Sequence, residues 1–342
     1  MSNKPPIEVP QGAIRLNTDS QRLEFFAEDR WYEMATNTPN LDGGTRGLFA
    51  GKFDDSNNQG TIDFVTIASG GNATAYGDLS AGGTNFYGGI CASQTRWVYF
   101  GGSPHTSEMD FGEFARPGNS QDFGNLTGTT QYNPSGVSNR TRGFRMGGAS
   151  VPTEAQNVIE AFVFSTTGSS KDFGDLAEKK RFSMSANSPT RGILIGGDIS
   201  NGNNGVELSQ FITMSTQGNA QKFGDLQNTA RERGMGCSNS IRGLVAGGQD
   251  PATTSNIDSV IIASGGNSVN FGNLSAANVN ASPNAATASP VRAIFCGGQN
   301  PSNTSQMEYM AIATGGTVVD FGDLVRAQRG GATTSTGHGG LG

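Results

Sequence analysis

The stretch KDFGDLAEKKR, residues 171–181, contains the tetrapeptide FGDL, and closely related tetrapeptides occur at five other places in the 342-residue chain. Successive copies are separated by 47, 50, 50, 48 and 50 residues. The aromatic residues that open the six copies are Tyr76, Phe123, Phe173, Phe223, Phe271 and Phe321. A regular period of this length indicates a repeat architecture in which each unit is one supersecondary element.

A second marker recurs in phase with FGDL. It is an arginine followed by a short apolar run, with a glycine five residues after the arginine, as in RGILIGG from residue 191. The repeats start near these arginines, which are Arg46, Arg96, Arg142, Arg191, Arg242 and Arg292. A brief apolar run that ends in glycine predicts a buried strand followed by a turn.

The residues before each FGDL predict another strand in every unit. The residue nine positions before the aromatic is apolar in all six units, and the residue fourteen positions before it is apolar in five. The fourth unit has Ser209 at the second of these positions and Leu208 one place earlier. We therefore expect an extra residue or a β-bulge in the strand of that unit.

Small residues follow each FGDL, which suits strands that converge on a narrow axis. Each unit therefore has four predicted strands, and six such units around an axis form a six-bladed β-propeller. Residues 326–336 supply the first strand that the first unit lacks, so we expect the C-terminal strand to close the ring. The predicted fold is all-β, with a small N-terminal β segment at 1–42 and the propeller at 43–342.

The composition argues against several classes of protein. The 51 glycines and the charged content of 15% favour turns and strands over helices. Three cysteines without CxxC spacing and two histidines predict no disulfide framework, metal site or cofactor. The net charge of -6 without a basic cluster does not suit nucleic-acid binding. The chain shows no membrane-spanning run and no signal-peptide pattern, so we expect no membrane insertion and assembly in the cytoplasm of the producing cell.

The repeated residues are interpreted as structural. We expect the aromatic and leucine residues of FGDL to pack between blades, the glycine to allow a positive φ, and the aspartate or asparagine to accept hydrogen bonds from turn amides. The six arginines are expected to donate to loop carbonyls, although such a ring also suits an anion site. The phenylalanines assigned a structural role are Phe123, Phe173, Phe223, Phe271 and Phe321.

The loop between the second and third strands varies most from unit to unit, whereas the turn before the fourth strand is uniformly short. Loops of one type leave the same face of every blade, so this variable face is the predicted interaction surface. Its candidate binding residues are Phe53, Asp54, Asp55, His105, Glu154, Asp198, Asn203, Asp250 and Asn303. These loops hold few aromatic residues apart from Phe53, which gives little support to a lectin.

The order of arginine, Gly-Gly, apolar strand and aromatic-x-x-Leu over residues 43–336 resembles the kelch repeat. The chain has Phe or Tyr where kelch repeats usually have Trp, and Gly51-Lys52 replaces Gly-Gly in the first unit. The resemblance implies a propeller fold. It leaves the function open, because function differs widely among proteins of one fold.

Residues 1–42 lie outside the period and are too few to bury an independent core. The segment resembles a small module of tailed-phage virion proteins with the form GxIRxNTxxxxLExxxxxxW. The matching residues are Gly12, Ile14, Arg15, Asn17, Thr18, Leu23, Glu24 and Trp31. This resemblance implies attachment to other virion proteins. The candidate attachment residues are Ile14, Arg15, Leu23, Phe25, Phe26, Trp31 and Tyr32.

Taken with the kelch-like body, the resemblance implies a structural virion protein of a tailed bacteriophage. The candidate locations on the virion are a tail fibre, the tail tip and the capsid surface. Residues 1–42 would bind other virion proteins, and the variable loops would contact a host receptor or glycan, or another virion protein. Homo-oligomerisation is compatible with both roles.

Two other functional classes remain open from the sequence. One is a cellular kelch-like propeller for protein–protein interaction. The other is a propeller enzyme, which the sequence does not favour. A kelch-like copper oxidase needs two histidines and two tyrosines on one face, sialidase SxDxGxxW boxes are absent, and the residues specify no catalytic triad or carboxylate pair. The prediction is that the protein is not an enzyme.

Overall fold

The computed structural model describes residues 9–17, 22–33, 45–53, 58–80, 86–103, 106–128, 133–150, 154–199, 205–227, 230–249, 252–278, 285–299 and 301–342. The chain divides into two compact units, Met1–Gly44 and Thr45–Gly342. Across the described ranges the one helical element is a 3₁₀ turn at Gly339–Leu341, and no helix there is long and apolar enough to cross a membrane. The fold is all-β, as the glycine-rich composition predicts.

The first unit contains a three-stranded antiparallel sheet in the order β1-β2-β3. Its strands are β1 (Ile14–Asn17), β2 (Arg22–Ala27) and β3 (Arg30–Glu33). Glu28 and Asp29 join β2 to β3 with φ angles of 50° and 59°. Two successive residues in the left-handed region form the tight turn whose twist matches that of the strands it connects.

The second unit is built from short strands. In chain order they are β4 (Arg46–Phe53), β5 (Asn58–Thr66), β6 (Thr74–Asp78), β7 (Gly89–Ala92), β8 (Arg96–Phe100), β9 (Glu108–Glu113), β10 (Gln121–Asn125), β11 (Ser135–Ser138), β12 (Arg142–Met146), β13 (Ala149–Ser150), β14 (Glu154–Val163), β15 (Lys171–Lys180), β16 (Met184–Asn187), β17 (Arg191–Ile195), β18 (Leu208–Thr213), β19 (Gln221–Asp225), β20 (Met235–Ser238), β21 (Arg242–Ala246), β22 (Asn256–Ile261), β23 (Val269–Asn273), β24 (Ala286–Ala288), β25 (Arg292–Cys296), β26 (Thr304–Ala311), β27 (Gly316–Thr317), β28 (Val319–Gln328) and β29 (Ala332–Ser335).

These strands form mostly four-stranded antiparallel sheets, which with the sheet of the first unit make seven in the described residues. In order along the chain, the first to sixth sheets of the second unit are β29-β4-β5-β6, β7-β8-β9-β10, β11-β12-β14-β15, β16-β17-β18-β19, β20-β21-β22-β23 and β24-β25-β26-β28. Within each sheet we call these the first to fourth strands. Two short strands are additional, β13 in the third sheet and β27 in the fifth.

The second strands carry the core because both of their faces are covered. In β12 and β17, for example, the repeat arginine is half-buried and the four residues after it are buried. A continuous buried run of this kind is typical of a strand that lies between neighbouring layers. The short apolar run after each arginine is therefore explained by burial of the strand on both faces of the sheet.

The third strand of the fourth unit has the same register as the others, so the irregularity predicted for it is absent. All six pairs of third and fourth strands shift register at the FGDL aromatic, as between Ser209 and Gln210 or between Ile62 and Asp63, and the pairs of the third and sixth sheets shift a second time. Ser209 pairs with Gly224 just as Ile62 pairs with Gly77. The expected extra residue is wrong, because Ser209 occupies the common position and is itself buried.

The repeat arginines connect successive sheets. Each guanidinium donates to the backbone carbonyl of the residue nine positions before an FGDL aromatic in the next sheet, and the sixth sheet donates to the first. The pairs are Arg46–Phe114, Arg96–Phe164, Arg142–Met214, Arg191–Ile262, Arg242–Ile312 and Arg292–Ile67. The arginines therefore have the carbonyl partners that the structural interpretation requires.

The glycine of FGDL allows the next sheet to approach closely. A Cβ atom on Gly77 would lie 2.1 Å from the carbonyl oxygen of Gly118, and one on Gly224 would lie 2.1 Å from that of Gly266. These oxygens belong to the turn before the fourth strand of the following sheet. The predicted positive φ is present at Gly124, Gly174, Gly272 and Gly322 but not at Gly77 and Gly224. The close approach is the requirement that all six positions share.

In the hydrogen bonds between FGDL and the next turn, donor and acceptor are the reverse of those predicted. The backbone N–H of Asp175 donates to Oδ1 of Asn219 at 3.0 Å, and that of Asp225 donates to Oδ1 of Asn267 at 3.0 Å. Both asparagines lie in the turn of the next sheet. The turn side chain is thus the acceptor and the FGDL backbone is the donor.

Candidate interaction surfaces

Most candidate residues of the variable loops fall outside the described residues. These are Asp54, Asp55, His105, Asn203 and Asp250. Glu154 is exposed at the first position of β14. Asn303 is half-buried, and its Nδ2 donates to the carbonyl oxygen of Phe53 at 3.4 Å. The described candidates therefore differ in their access to solvent.

Asp198 is not a solvent-facing binding residue. Its side chain is 0% exposed, and its Oδ2 accepts from Nε and Nη2 of Arg181 at 3.0 and 2.8 Å. The backbones of Arg181 and Asp198 also exchange both of their hydrogen bonds. A buried carboxylate needs such a partner, so this candidate is a structural ion pair between a variable loop and the connection that follows β15.

Phe53 belongs to an aromatic cluster that the sequence analysis missed. Its ring lies 5.4 Å from that of Phe86, which in turn lies 4.5 Å from that of Tyr87. The guanidinium of Arg329 covers Phe53 at 4.9 Å. Phe86 and Tyr87 lie in the connection between the first and second sheets. The connections between sheets thus add aromatic residues beside Phe53, which the loops between the second and third strands do not themselves supply.

The connections between sheets carry residues with a left-handed backbone. Tyr87, Asn133, Phe182 and Arg233 have φ angles of 60°, 54°, 53° and 58°. They are linked in part by backbone hydrogen bonds, from Asn133 to Tyr87 at 2.9 Å and from Arg233 to Phe182 at 3.0 Å. Each such residue costs on the order of 1 kcal/mol or more. Repetition of the same unfavourable conformation shows that the surrounding sheets impose it.

A buried polar position recurs in every third strand. It lies thirteen residues before each FGDL aromatic and directly opposite a second-strand core residue. The six residues are Asp63, Asp110, Glu160, Gln210, Asp258 and Glu308. All of them are buried. The signal in the sequence is a polar residue at the same place in every repeat. It was not among the predicted sites, because only the apolar positions of this strand were compared between repeats.

Four of these six residues accept from backbone donors of the preceding sheet, and the other two, Asp63 and Asp258, pair with Lys52 and Arg231. Asp110 accepts from the N–H of Ser80 at 3.0 Å, and Gln210 accepts from the N–H of Ala177 at 2.7 Å. Ser80 and Ala177 each follow the leucine of FGDL. These side chains therefore bond the fourth strand of one sheet, or the residues just after it, to the third strand of the next.

The fourth and fifth sheets differ in the charge at this position. Arg231 is buried and forms an ion pair with Asp258 of the fifth sheet. Lys180 is also buried, and its Nζ donates to the carbonyl oxygen of Gly196 at 2.9 Å, but the fourth sheet has the neutral Gln210. Burial lowers the pKa of Lys180 to about 7. Backbone carbonyl groups accept from Lys180, whereas Arg231 has the carboxylate of Asp258 as its partner.

The first strands of all six sheets line a narrow cavity. Its volume is about 30 Å³, which is room for roughly two water molecules. The first strands contact one another in the cyclic order β29, β7, β11, β16, β20, β24 and back to β29. Small lining residues such as Ser138, Ser185 and Ser238 permit this approach. A cavity of this size accommodates water and excludes an organic substrate.

The residues after β29 fold over one end of this cavity. The Nε2 atom of His338 donates to the carbonyl oxygen of Ala92 at 2.8 Å, and its Nδ1 accepts from Nδ2 of Asn187 at 3.1 Å and from the N–H of Gly340 at 3.2 Å. Burial lowers the pKa of His338 to about 4. The imidazole is therefore neutral and structural at neutral pH.

The metal-ligating and thiol residues of the described ranges are dispersed or buried. Within these ranges no three His, Cys, Asp or Glu residues cluster as a metal site would require. Cys91, Cys237 and Cys296 are buried and not disulfide-bonded. Burial raises the pKa of all three thiols, that of Cys237 to about 12, so the reactive thiolate is strongly disfavoured at neutral pH.

The candidate attachment residues of the first unit divide between the two faces of its sheet. On one face Arg15 pairs with Glu24 at 2.8 Å and covers the ring of Trp31 at 4.0 Å, while Phe26 packs against Trp31 at 5.3 Å. The hydrogen bonds of Asn17 and Arg15 lower the pKa of Glu24. This face is held by polar and aromatic contacts within the sheet.

The opposite face of the first unit is apolar and exposed. We call it the apolar face, and it consists of Ile14, Leu16, Leu23, Phe25 and Tyr32. The exposed fractions of Ile14, Leu16, Leu23 and Phe25 are 64%, 61%, 41% and 37%. Phe25 stacks on Tyr32 at 5.5 Å. A contiguous exposed apolar patch is characteristic of an interaction surface.

Comparisons with known proteins bear on the fold. No protein-family model and no curated protein matches the chain. Among solved structures, the chain is similar to the structure of YjhT, with a TM-score of 0.59 over 73% of this chain and 87% of that one. The sequence identity is 11%, so the likeness concerns the fold alone. It is consistent with a propeller-like arrangement of four-stranded sheets.

Proposed function

We propose that Thr45–Gly342 is a six-bladed, kelch-like β-propeller in which each four-stranded sheet is one blade. Three observations support this proposal. The arginine hydrogen bonds lead from each sheet to the next and from the sixth to the first, and the first strands contact one another in the same cyclic order. In addition, β29 pairs with β4, so the two ends of the repeat region meet in one sheet.

The protein is proposed to be a structural component of a tailed-phage virion, such as a tail fibre, tail-tip or capsid-surface appendage. The first unit would attach it to other virion proteins, and the variable loops would contact a host receptor or another virion component. The observation that carries the proposal is the apolar face. A three-stranded sheet cannot bury Ile14, Leu16 and Phe25 by itself, so a surface elsewhere must cover them.

Incorporation into particles tests this role. The double substitution Leu16→Ser and Phe25→Ser removes the centre of the apolar face. Val269→Ser and Val319→Ser provide the matched control, because these valines are 53% and 54% exposed in the second unit. We expect at least a tenfold loss of the first variant from purified particles and normal incorporation of the control. Equal incorporation of the two variants would contradict attachment through this face.

A second candidate function is a cellular protein-interaction propeller. The half-buried cluster of Phe53, Phe86 and Tyr87 favours it, since aromatic side chains beside a cation are enriched in protein interfaces. In this case Phe86→Ser would abolish capture of a partner from cell extract, whereas the double substitution of the apolar face would leave capture unchanged. Capture that survives Phe86→Ser would contradict this second function.

A further inference from the structure

The third sheet differs from its neighbours at one position of its third strand. In four other sheets this position, which pairs with the second residue after the repeat arginine, holds an aromatic ring. These residues are Phe64, Phe111, Phe211 and Tyr309. The repeat arginine of each sheet lies over that ring at 4.5–5.9 Å. In the third sheet the position is Ala161.

In the third sheet the ring nearest the guanidinium of Arg142 is that of Phe144, at 5.6 Å, which pairs directly with Ala161 and is fully buried. In the fifth sheet, where Ser259 occupies the position, Phe271 lies 4.4 Å from the guanidinium of Arg242 and covers it. In the third sheet Phe173 remains 3% exposed in the core, with its centroid 6.0 Å from the guanidinium of Arg142. Phe144 does not line the cavity that Ala161 lines, so this ring leaves the space outside Ala161 unfilled.

A cavity of about 540 Å³ lies at this place. It is lined by Arg142, Ala161 and Phe173, by the turn at 166–169 and by Gln217 of the fourth sheet. Ligand cavities in proteins measure about 300–1,000 Å³, and a cavity of about 150 Å³ is enough for benzene. The cavity accommodates one aromatic ring together with the atoms that carry it.

We propose that this cavity binds the aromatic side chain, Phe or Tyr, of a segment of a partner protein. The ring would take the place that Phe111 and Phe211 hold in the neighbouring sheets, where a repeat arginine faces it. Lys171 and Asp172 are exposed beside the cavity and can bind the backbone that carries the ring. These polar groups favour a protein segment over a free aromatic molecule.

Titration with blocked amino acids, followed by NMR, tests the proposal on the full chain. N-acetyl-L-tyrosinamide is the probe, and N-acetyl-L-leucinamide is the apolar control. We expect saturable shifts in the signals of Arg142, Lys171 and Gln217 at millimolar probe, and shifts at least tenfold smaller with the leucine compound. Absence of saturable shifts with the tyrosine probe, or equal shifts with the two compounds, would overturn the proposal.

Two reciprocal substitutions locate the binding. Ala161→Phe supplies the ring that four other sheets have, so the chain is expected to fold and to lose probe binding at least tenfold. Phe211→Ala opens the same space over Arg191 in the fourth sheet, so a second set of saturable shifts is expected there. Probe binding that survives Ala161→Phe, or no second site in Phe211→Ala, would show that the missing ring does not make the site.

A third titration identifies the source of the ring. Phenol has the ring without the peptide groups, so we expect it to bind at least threefold more weakly than N-acetyl-L-tyrosinamide. Phenol that binds as tightly would show that the polar rim contributes nothing, and the site would then suit a free aromatic molecule instead of a protein segment. The proposal does not depend on the virion role.

Discussion

In the second unit, arginines and buried acids of one sheet form hydrogen bonds with the backbone of another, and glycines let the two backbones pack closely. These polar groups between sheets therefore have partners inside the unit. In the first unit, Ile14, Leu16 and Phe25 are exposed on one side of a three-stranded sheet. The hydrogen-bonding groups between the repeated sheets find partners within the second unit. The first unit has an apolar face that its own residues leave uncovered. The comparison separates residues that keep the fold from residues available for contact.

The largest expected effect comes from filling the space between two sheets. Gly224→Ala would place a Cβ 2.1 Å from the carbonyl oxygen of Gly266. We expect unfolding free energy to fall by about 4 kcal/mol, measured by urea denaturation. Gly118→Ala is the control, since it has a φ of 155° and no atom within 4 Å of its Cβ. It should cost about 1 kcal/mol, and equal costs would contradict the role of close approach.

The next effect is pH-dependent. His338 has a pKa of about 4 when folded and about 6.5 when unfolded, so between these values the unfolded chain binds more protons. The free energy of unfolding should therefore fall by about 3 kcal/mol as the pH drops from 6.5 to 4. His338→Gln removes this titration, and the difference between the two proteins isolates it. A difference that is constant over this range would contradict the buried, neutral imidazole.

A smaller effect distinguishes the fourth sheet from the fifth. Gln210→Glu gives Lys180 the type of partner that Arg231 has, so we expect about 1 kcal/mol of stabilisation at pH 7. In the natural protein, stability due to Lys180 should rise between pH 7 and 10.5, because the unfolded lysine binds more protons there. The rise should be weaker in the variant. Parallel pH profiles for the two proteins would refute this assignment.

The smallest effect on stability is expected in the first unit. Leu16→Ser and Phe25→Ser should shift the urea midpoint of the second unit by an amount equivalent to less than about 0.5 kcal/mol, because exposed residues contribute little. Circular dichroism at the midpoint provides the measurement. A shift of several kcal/mol would mean that the apolar face stabilises the repeated region, and the comparison between the two units would fail.

The sequence predicts the parts of the structure that repeat. The FGDL glycines, the arginines and the apolar runs recur about every 50 residues, and each proves to occupy one position in every sheet. The C-terminal strand was also predictable, because the first sheet lacked one strand and β29 supplies it. Periodicity is informative here because each sheet must fit its neighbours in the same way.

Other parts of the candidate surfaces could not be read from the sequence in this way. The contact of Phe53 with Phe86 depends on where two loops meet, and the burial of Asp198 depends on Arg181 in a different connection. His338 follows the last strand and has no repeated counterpart, so no pattern indicated that it closes the cavity. These contacts join residues that are distant in the chain and occur once, which leaves no periodic signal.

The most direct test of the proposed function is cryo-electron microscopy of purified particles from the producing system, with mass spectrometry to identify this chain. The virion role predicts density for a disc of six blades that is held to the particle through the first unit, with the apolar face covered by another virion protein. Particles that lack the chain, or density in which the apolar face contacts solvent alone, would contradict it.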